Sequence, residues 1–356
     1  MTDEDAVSRL VDREGLRAYL SERFGDEETF ELERHLEGHS NETLFVTWGD
    51  REFVLRRPPL GDTEETAHDV LREHRVMSAL QETGVPVPPT VAACEDDAVI
   101  GVEFFLTERL EGDVIRDEEP PRFRTPDTRE RITDELLSTL VAIHDVDVDA
   151  VGLADFGRPE GYLERQVGGW REQLEEWLLP RTESHRELPH VREIGAWLAD
   201  NVPEEYDHTL VHGDYKLDNV MFGPGTPPEL VGVFDWEMST LGDPLADLGW
   251  LLTFWRDPDD PDLDIPEELT PTITVREGYP TRGELVSEYE ARTGREFVNA
   301  RFYRTLNAFK ITVACEAMYL RYVSGAADDP MYPVLEEGVP ALARRAKHVL
   351  DGDLPL

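Results

Sequence analysis

Two short segments of this 356-residue chain carry side chains whose types and spacing suit phosphoryl transfer. The first reads His212-Gly213-Asp214-Tyr215-Lys216-Leu217-Asp218-Asn219. The second is an apolar run that ends in acid, Leu230-Val231-Gly232-Val233-Phe234-Asp235-Trp236-Glu237. Moving a phosphoryl group to a hydroxyl requires a base that orients and deprotonates the hydroxyl, a cation that meets charge on the transferred group, and oxygen ligands for magnesium. Asp214 fits the first role, Lys216 the second, and Asn219 with Asp235 the third. His212 is placed to brace the loop rather than to transfer protons. A carboxylate closing a buried strand, as Asp235 is expected to do, is costly unless a cation or hydrogen bonds compensate it. Mg2+ is the natural partner.

Upstream residues could hold the phosphate donor. Glu37-Gly38-His39-Ser40-Asn41-Glu42-Thr43 reads as a hairpin turn able to lay backbone N–H groups, Asn41 and the hydroxyls of Ser40 or Thr43 over phosphates. In Phe53-Val54-Leu55-Arg56, strand alternation puts Val54 and Arg56 on one face, the first suited to an adenine ring and the second to phosphate oxygens. Glu73 falls on the helix face that can meet Arg56. The backbone of Glu108-Arg109-Leu110 would offer hydrogen bonds to the base. Further on, Gly242-Asp243-Pro244-Leu245-Ala246-Asp247 is a helix start, with an Asp cap, Pro at the first position and a second Asp in the first turn, expected to brace the loop at 212–219.

The elements that must position these residues follow from periodicity. Helical spacing of Val7, Leu10, Val11, Leu16 and Leu20 predicts an entry helix over 4–22. Strands are expected near 29–37, 43–48, 51–57, 90–95 and 98–108, with one long helix, 64–82, inserted between the third and fourth. Helices then dominate, near 127–144, 159–179, 188–201, 244–255, 283–294, 297–323 and 333–350. The Pro-rich, acidic segment 257–274 reads as a solvated loop. The expected class is α+β: a nucleotide-binding lobe over 1–110, a hinge about 107–112, and a larger helical catalytic and substrate lobe over 111–356.

Composition narrows the setting. The formal charge is −42, and of 35 basic residues only Lys216, Lys310 and Lys347 are lysine. Such an acidic, Lys-poor surface suits molar salt, where charges are screened over roughly 3 Å, and points to a salt-adapted, haloarchaeal type of cytoplasm. Because the acidity is global, it carries no information about a cationic substrate. Nucleic acid is disfavoured as a partner, since no basic stripe exists to neutralise phosphates. No apolar run reaches the length of a membrane span, and the N-terminus is acidic where a secretory signal would be basic. Cys94 and Cys315 lack any ligand pattern around them. None of this sets an oligomeric state.

Taken together, the chain resembles the aminoglycoside phosphotransferase and choline-kinase-like family. More narrowly it is similar to the kinase-like domain found with certain acyl-CoA dehydrogenases. The resemblance rests on Gly38-His39-Ser40-Asn41, on Phe53-Val54-Leu55-Arg56-Arg57-Pro58-Pro59, on Ala67-His68-Asp69-Val70-Leu71-Arg72-Glu73-His74-Arg75-Val76 and on the two acidic motifs, and spans about 30–325. It implies a bilobal, protein-kinase-like fold with a five-stranded antiparallel sheet lobe, ATP and Mg2+ as cofactors, Asp214 as base, Asn219 and Asp235 as metal ligands, and a small-molecule hydroxyl as acceptor. A hydroxyacyl-CoA or hydroxy acid leads as acceptor, with aminoglycosides, choline, other amino alcohols and sugars behind. A non-catalytic nucleotide-binding scaffold is the alternative of another class, because Arg56 stands where the wider family has Lys.

Overall fold

The computed structural model describes residues 3–35, 41–60, 69–261, 263–325, 331–354 and 356. Two entry helices, α1 (Asp3–Leu10) and α2 (Arg13–Phe24), precede three strands, β1 (Phe30–His35), β2 (Glu42–Trp48) and β3 (Arg51–Arg57). After α3 (Val70–Leu80) come β4 (Thr90–Cys94) and β5 (Phe104–Glu108), completing an antiparallel sheet of order β1-β2-β3-β5-β4. Alternation assigns its faces. Leu44, Val46, Trp48, Phe53 and Leu55 are buried on one side with Val7, Leu10, Val11, Leu16 and Leu20 of the entry helices. The other face of β3 carries the half-buried Val54 and Arg56, and on this side α3 packs Val76, Met77 and Leu80 near Phe105.

Two expectations for this part of the chain change. The single helix over 4–22 is two, because the Asp12 carboxylate accepts from the amides of Glu14 and Gly15 at 3.0 and 3.1 Å and starts a new helix. The strand predicted at 98–108 is shorter, since residues 97–103 form a turn and Gly101 takes a φ of 94°. Of the helix predicted at 64–82, α3 is the described part; residues 61–68, like the turn at 36–40 with Ser40, lie outside the described residues.

Beyond the sheet the chain forms β6 (Asp113–Val114), α4 (Pro126–His144), α5 (Tyr162–Glu172), a π-helical stretch Gln173–Leu178, α6 (Leu179–Thr182) and α7 (Val191–Asp200). Four short strands follow: β7 (Thr209–Val211), β8 (Val220–Phe222), β9 (Leu230–Val233) and β10 (Thr240–Gly242). The chain ends in α8 (Pro244–Thr253), α9 (Arg282–Thr293), α10 (Ala300–Val323) and α11 (Leu335–Asp351). β7 pairs with β10, and β8 lies between β6 and β9. These two ladders hold the ends of both acidic motifs. The segment 257–274 is less solvated than expected: it makes two 3-10 turns and buries Leu269, Ile273 and Thr274. Among the described residues no helix is long and apolar enough to cross a membrane.

Candidate active site

β7 delivers the chain to His212, whose amide donates to the Asp247 carboxylate at 2.6 Å, while the Gly213 amide donates to its other oxygen at 2.8 Å. Asp247 reaches them because Asp243 caps α8, accepting from the Leu245 amide at 3.0 Å. The first turn of α8 therefore presents its carboxylate to the loop. Gly213 has a φ of 85°, and a Cβ there would lie 2.7 Å from the Met238 carbonyl oxygen, so a side chain would strain the turn. The Asp214 amide donates to His212 Nδ1 at 3.2 Å, which places the ring proton on Nε2, and Nε2 donates to the Phe234 carbonyl at 2.9 Å. One imidazole thus ties the two motifs together. Burial lowers its pKa despite the neighbouring Asp247, so it stays neutral.

The Asp214 carboxylate is held on three sides. Trp250 Nε1 donates to Oδ1 at 2.7 Å, and Lys216 Nζ and Asn219 Nδ2 each donate to Oδ2 at 2.8 Å. Asn219 also donates to the Asp214 carbonyl at 2.7 Å, which turns its own amide oxygen elsewhere. Burial works against the Lys216 ammonium, but Asp214 and Asp218 outweigh it and its pKa is raised.

Asp235 adopts a left-handed conformation, φ 63° and ψ 61°, a backbone state that a non-glycine residue holds at some cost. Its Oδ1 is buried and accepts no hydrogen bond; Arg56 Nη2 stands 3.8 Å away. That orphaned oxygen fits a cation. Among the described residues no group of three or more His, Cys, Asp or Glu forms a metal cluster, so the donor set suits an ion that takes one or two protein oxygens and completes its shell with phosphate and water, as Mg2+ does.

Across the cleft, Arg56 donates to Glu73 Oε2 at 3.0 and 3.3 Å and to the Thr43 hydroxyl oxygen at 3.2 Å. Burial opposes both charges. The guanidinium pKa nonetheless comes out raised, because Glu73 and Asp235 face it, and the Glu73 pKa is raised because burial and Asp235 outweigh Arg56. Between the lobes lies a cavity of about 500 Å³, lined by Thr43, Val54, Arg56, Glu73, Glu108, Leu110, Asn219 and Asp235 together with Phe45, Met77, Phe105, Met221 and Phe234.

Residues 31–278 match the phosphotransferase enzyme family. The chain belongs to that family. Over 338 residues, 91% of its length, this phosphotransferase is 33% identical to acyl-CoA dehydrogenase family member 11 of Rattus norvegicus. The match spans 41% of that relative, so the chain covers about two fifths of its length. Among solved structures, a Ralstonia eutropha protein provisionally described as an aminoglycoside phosphotransferase is 30% identical, with a TM-score of 0.78 over 96% of this chain and 99% of that one. A thermostable mutant of aminoglycoside phosphotransferase APH(4)-Ia, in ternary complex with AMP-PNP and hygromycin B, shares the fold at 15% identity, with a TM-score of 0.59 over 96% and 99%. Family and fold together make this protein a phosphotransferase-family member of α+β, kinase-like architecture.

The residues singled out by spacing are distributed as follows in this phosphotransferase. Asp214, Lys216 and Asn219 touch one another, and Thr43, Val54, Arg56, Glu73, Glu108, Leu110, Asn219 and Asp235 line the inter-lobe cavity. Asp214 and Lys216 do not line it; they abut it through Asn219. Asn41 is buried at 6% exposure without a side-chain partner and is not among the lining residues. Ser40 lies outside the described residues. At the hinge, the amides of Glu108 and Arg109 donate to the Pro89 and Glu52 carbonyls at 2.8 and 3.0 Å, because the sheet ladder runs on past the strand. The Leu110 amide is left as the donor of those three. Trp250 belongs to neither motif, although it sits three residues after Asp247 and so shares its helix face. Met77, one turn beyond Glu73, was likewise legible by spacing.

Proposed function

We propose that this phosphotransferase moves the γ-phosphoryl group of ATP to a hydroxyl of a hydroxyacyl-CoA or related hydroxy acid. The observation that carries the reaction is the Asp214 carboxylate, pinned by Lys216, Asn219 and Trp250 beside a cleft whose opposite wall presents Arg56 paired with Glu73. A carboxylate so fixed accepts the acceptor's hydroxyl proton as its oxygen attacks phosphorus; the bond from the γ-phosphorus to the bridging oxygen breaks and ADP departs. Lys216, 2.8 Å from Asp214, supplies positive charge beside the transferred group. Arg56 orients phosphate oxygens, and Glu73 fixes its fork. Mg2+, held by Asn219 and Asp235, would neutralise phosphate charge when bound.

The choice of acceptor is supported by the 33% identity, over nine tenths of the chain, to a relative named for acyl-CoA chemistry. The hygromycin B bound by the APH(4)-Ia neighbour favours an amino sugar instead, but at 15% identity that likeness extends to the fold alone. The deciding experiment measures ATP consumption in molar KCl, matched to the acidic, salt-adapted composition, across 3-hydroxybutyryl-CoA, 3-hydroxybutyrate, choline, sugars and aminoglycosides. The highest kcat/KM is expected for the hydroxyacyl compounds. An aminoglycoside or choline outrunning them sinks the acceptor assignment, and no acceptor-dependent turnover at all would leave a nucleotide-binding scaffold.

Arg56 offers a second check. Arg56→Met should raise KM for ATP by about tenfold or more, through loss of a charge-assisted contact, and should destabilise the fold by stranding Glu73. Adding Glu73→Gln is expected to restore stability without restoring ATP affinity, in initial-rate and urea-unfolding measurements. Recovery of both would mean that Arg56 meets no phosphate.

A further inference from the structure

Lys310, in α10, is one of three lysines in the chain. The other two have carboxylate partners: Lys216 pairs with Asp214, and Lys347 with Glu193 and Asp351. Lys310 is only 6% exposed, and its ammonium forms no hydrogen bond or ion pair with any described residue. It rests over the faces of Trp250, at 4.7 Å, and Trp170, at 5.9 Å. Burying an ammonium without a directly paired carboxylate is costly even after relaxation, and contact with aromatic faces offsets part of that cost. Scarcity of acid is not the reason, since Asp and Glu number 77 against 35 basic residues. Burial lowers its pKa against the opposing charges of Asp247 and Asp214, yet the ammonium pairs directly with neither.

Its location gives that freedom a use. The indole whose face meets Lys310 is the one whose N–H holds Asp214 Oδ1 at 2.7 Å. Ammonium and carboxylate therefore both meet the same side chain, Trp250.

The geometry points to Lys310 as the docking group for an acyl oxygen of the acceptor, a carboxylate or a thioester carbonyl, a few bonds from the hydroxyl presented to Asp214. The inference rests on Asp214 being the base, and it separates the acceptor classes by charge. A hydroxy acid or hydroxyacyl thioester brings an electron-rich oxygen to the ammonium, whereas choline or an aminoglycoside brings a second cation into the same apolar surroundings.

Lys310→Met keeps the length and apolar stem and removes the charge; Lys310→Gln keeps a donor and guards against a packing failure in the Met variant. Both should raise KM for 3-hydroxybutyrate and 3-hydroxybutyryl-CoA by about 10- to 100-fold, the loss expected for a hydrogen bond to a charged group, with KM for ATP unchanged. Equal falls in kcat for every acceptor at constant KM would instead assign Lys310 to holding Trp250, and overturn docking. Binding of the same two compounds, followed by tryptophan fluorescence, separates this inference from the reaction: a wild-type protein that binds them without turning them over refutes the role of Asp214 alone. Affinities equal in wild type and both variants, or no binding by wild type, refute the role of Lys310.

Discussion

Asp214→Asn is expected to lower kcat by about 10²- to 10⁴-fold, the usual contribution of a positioned base, with ATP affinity retained. The two effects separate because Arg56, Glu73 and Val54, which face the inter-lobe cavity, make no hydrogen bond to Asp214. The substitution also has a structural side. The wild-type carboxylate accepts from Trp250 at one oxygen and from Lys216 and Asn219 at the other. An amide can satisfy only one side, since turning its oxygen toward Lys216 and Asn219 points its NH2 at the Trp250 N–H. Stranding a buried donor costs about 1–3 kcal/mol. Adding Trp250→Phe removes that donor, so the double variant should regain stability while kcat stays low. A double variant that regained activity would show that Asp214 matters for loop geometry and not for proton transfer, and an unchanged rate in Asp214→Asn alone would refute its role as base.

What was legible in the sequence follows from the range of the interactions. Lys216 and Asn219 lie two and five residues from Asp214, so one turn brings all three together and spacing alone announces it. Arg56 and Glu73 meet because strand alternation and helix face each point one side chain to the same gap. Five strands with an inserted helix are visible for the same reason, each being long enough to show a period. The ladders β6-β8-β9 and β7-β10 have strands of two to four residues, too short for any period, yet they hold both motifs in place. Asp247 and Trp250 reach the Asp214 loop at long range from α8, and the contact of Trp250 is hidden among apolar neighbours. A sequence shows that a polar residue sits in an apolar helix, but only the packing says which loop it meets. The ladder that consumes the Glu108 and Arg109 amides depends on Pro89 and Glu52, both distant in sequence.

Asp247→Ala should be the most damaging substitution to stability, at about 3–5 kcal/mol, the range for removing one partner of a buried charged network. Its carboxylate accepts from the His212 and Gly213 amides and stands 3.4 Å from His144 Nε2, while His144 Nδ1 meets the Tyr289 hydroxyl at 2.8 Å. Alanine leaves two buried amides without acceptors at the residues that lead into Asp214, so kcat should fall along with the urea midpoint. Acid tests the same contact. Burial alone would raise the Asp247 pKa, but His144 and His212 outweigh it and hold it below the ordinary 3.8; its stabilisation is thus complete above pH 3.8 and lost as pH falls through the lowered folded value. Asp243, at the cap of the same helix, behaves oppositely: burial, against the hydrogen bonds of Tyr303 and Leu245, pushes it up from 3.8 to about 6. Between those values the folded protein holds a proton that the unfolded chain has released, so this group makes stability fall as pH rises from 3.8 to about 6. Urea midpoints at constant KCl should therefore decline over that interval more steeply for wild type than for Asp243→Asn, whatever the surface charge contributes to both. Parallel curves would place the Asp243 proton elsewhere, and an acid limb below pH 3.8 that survives in Asp247→Asn would do the same for Asp247.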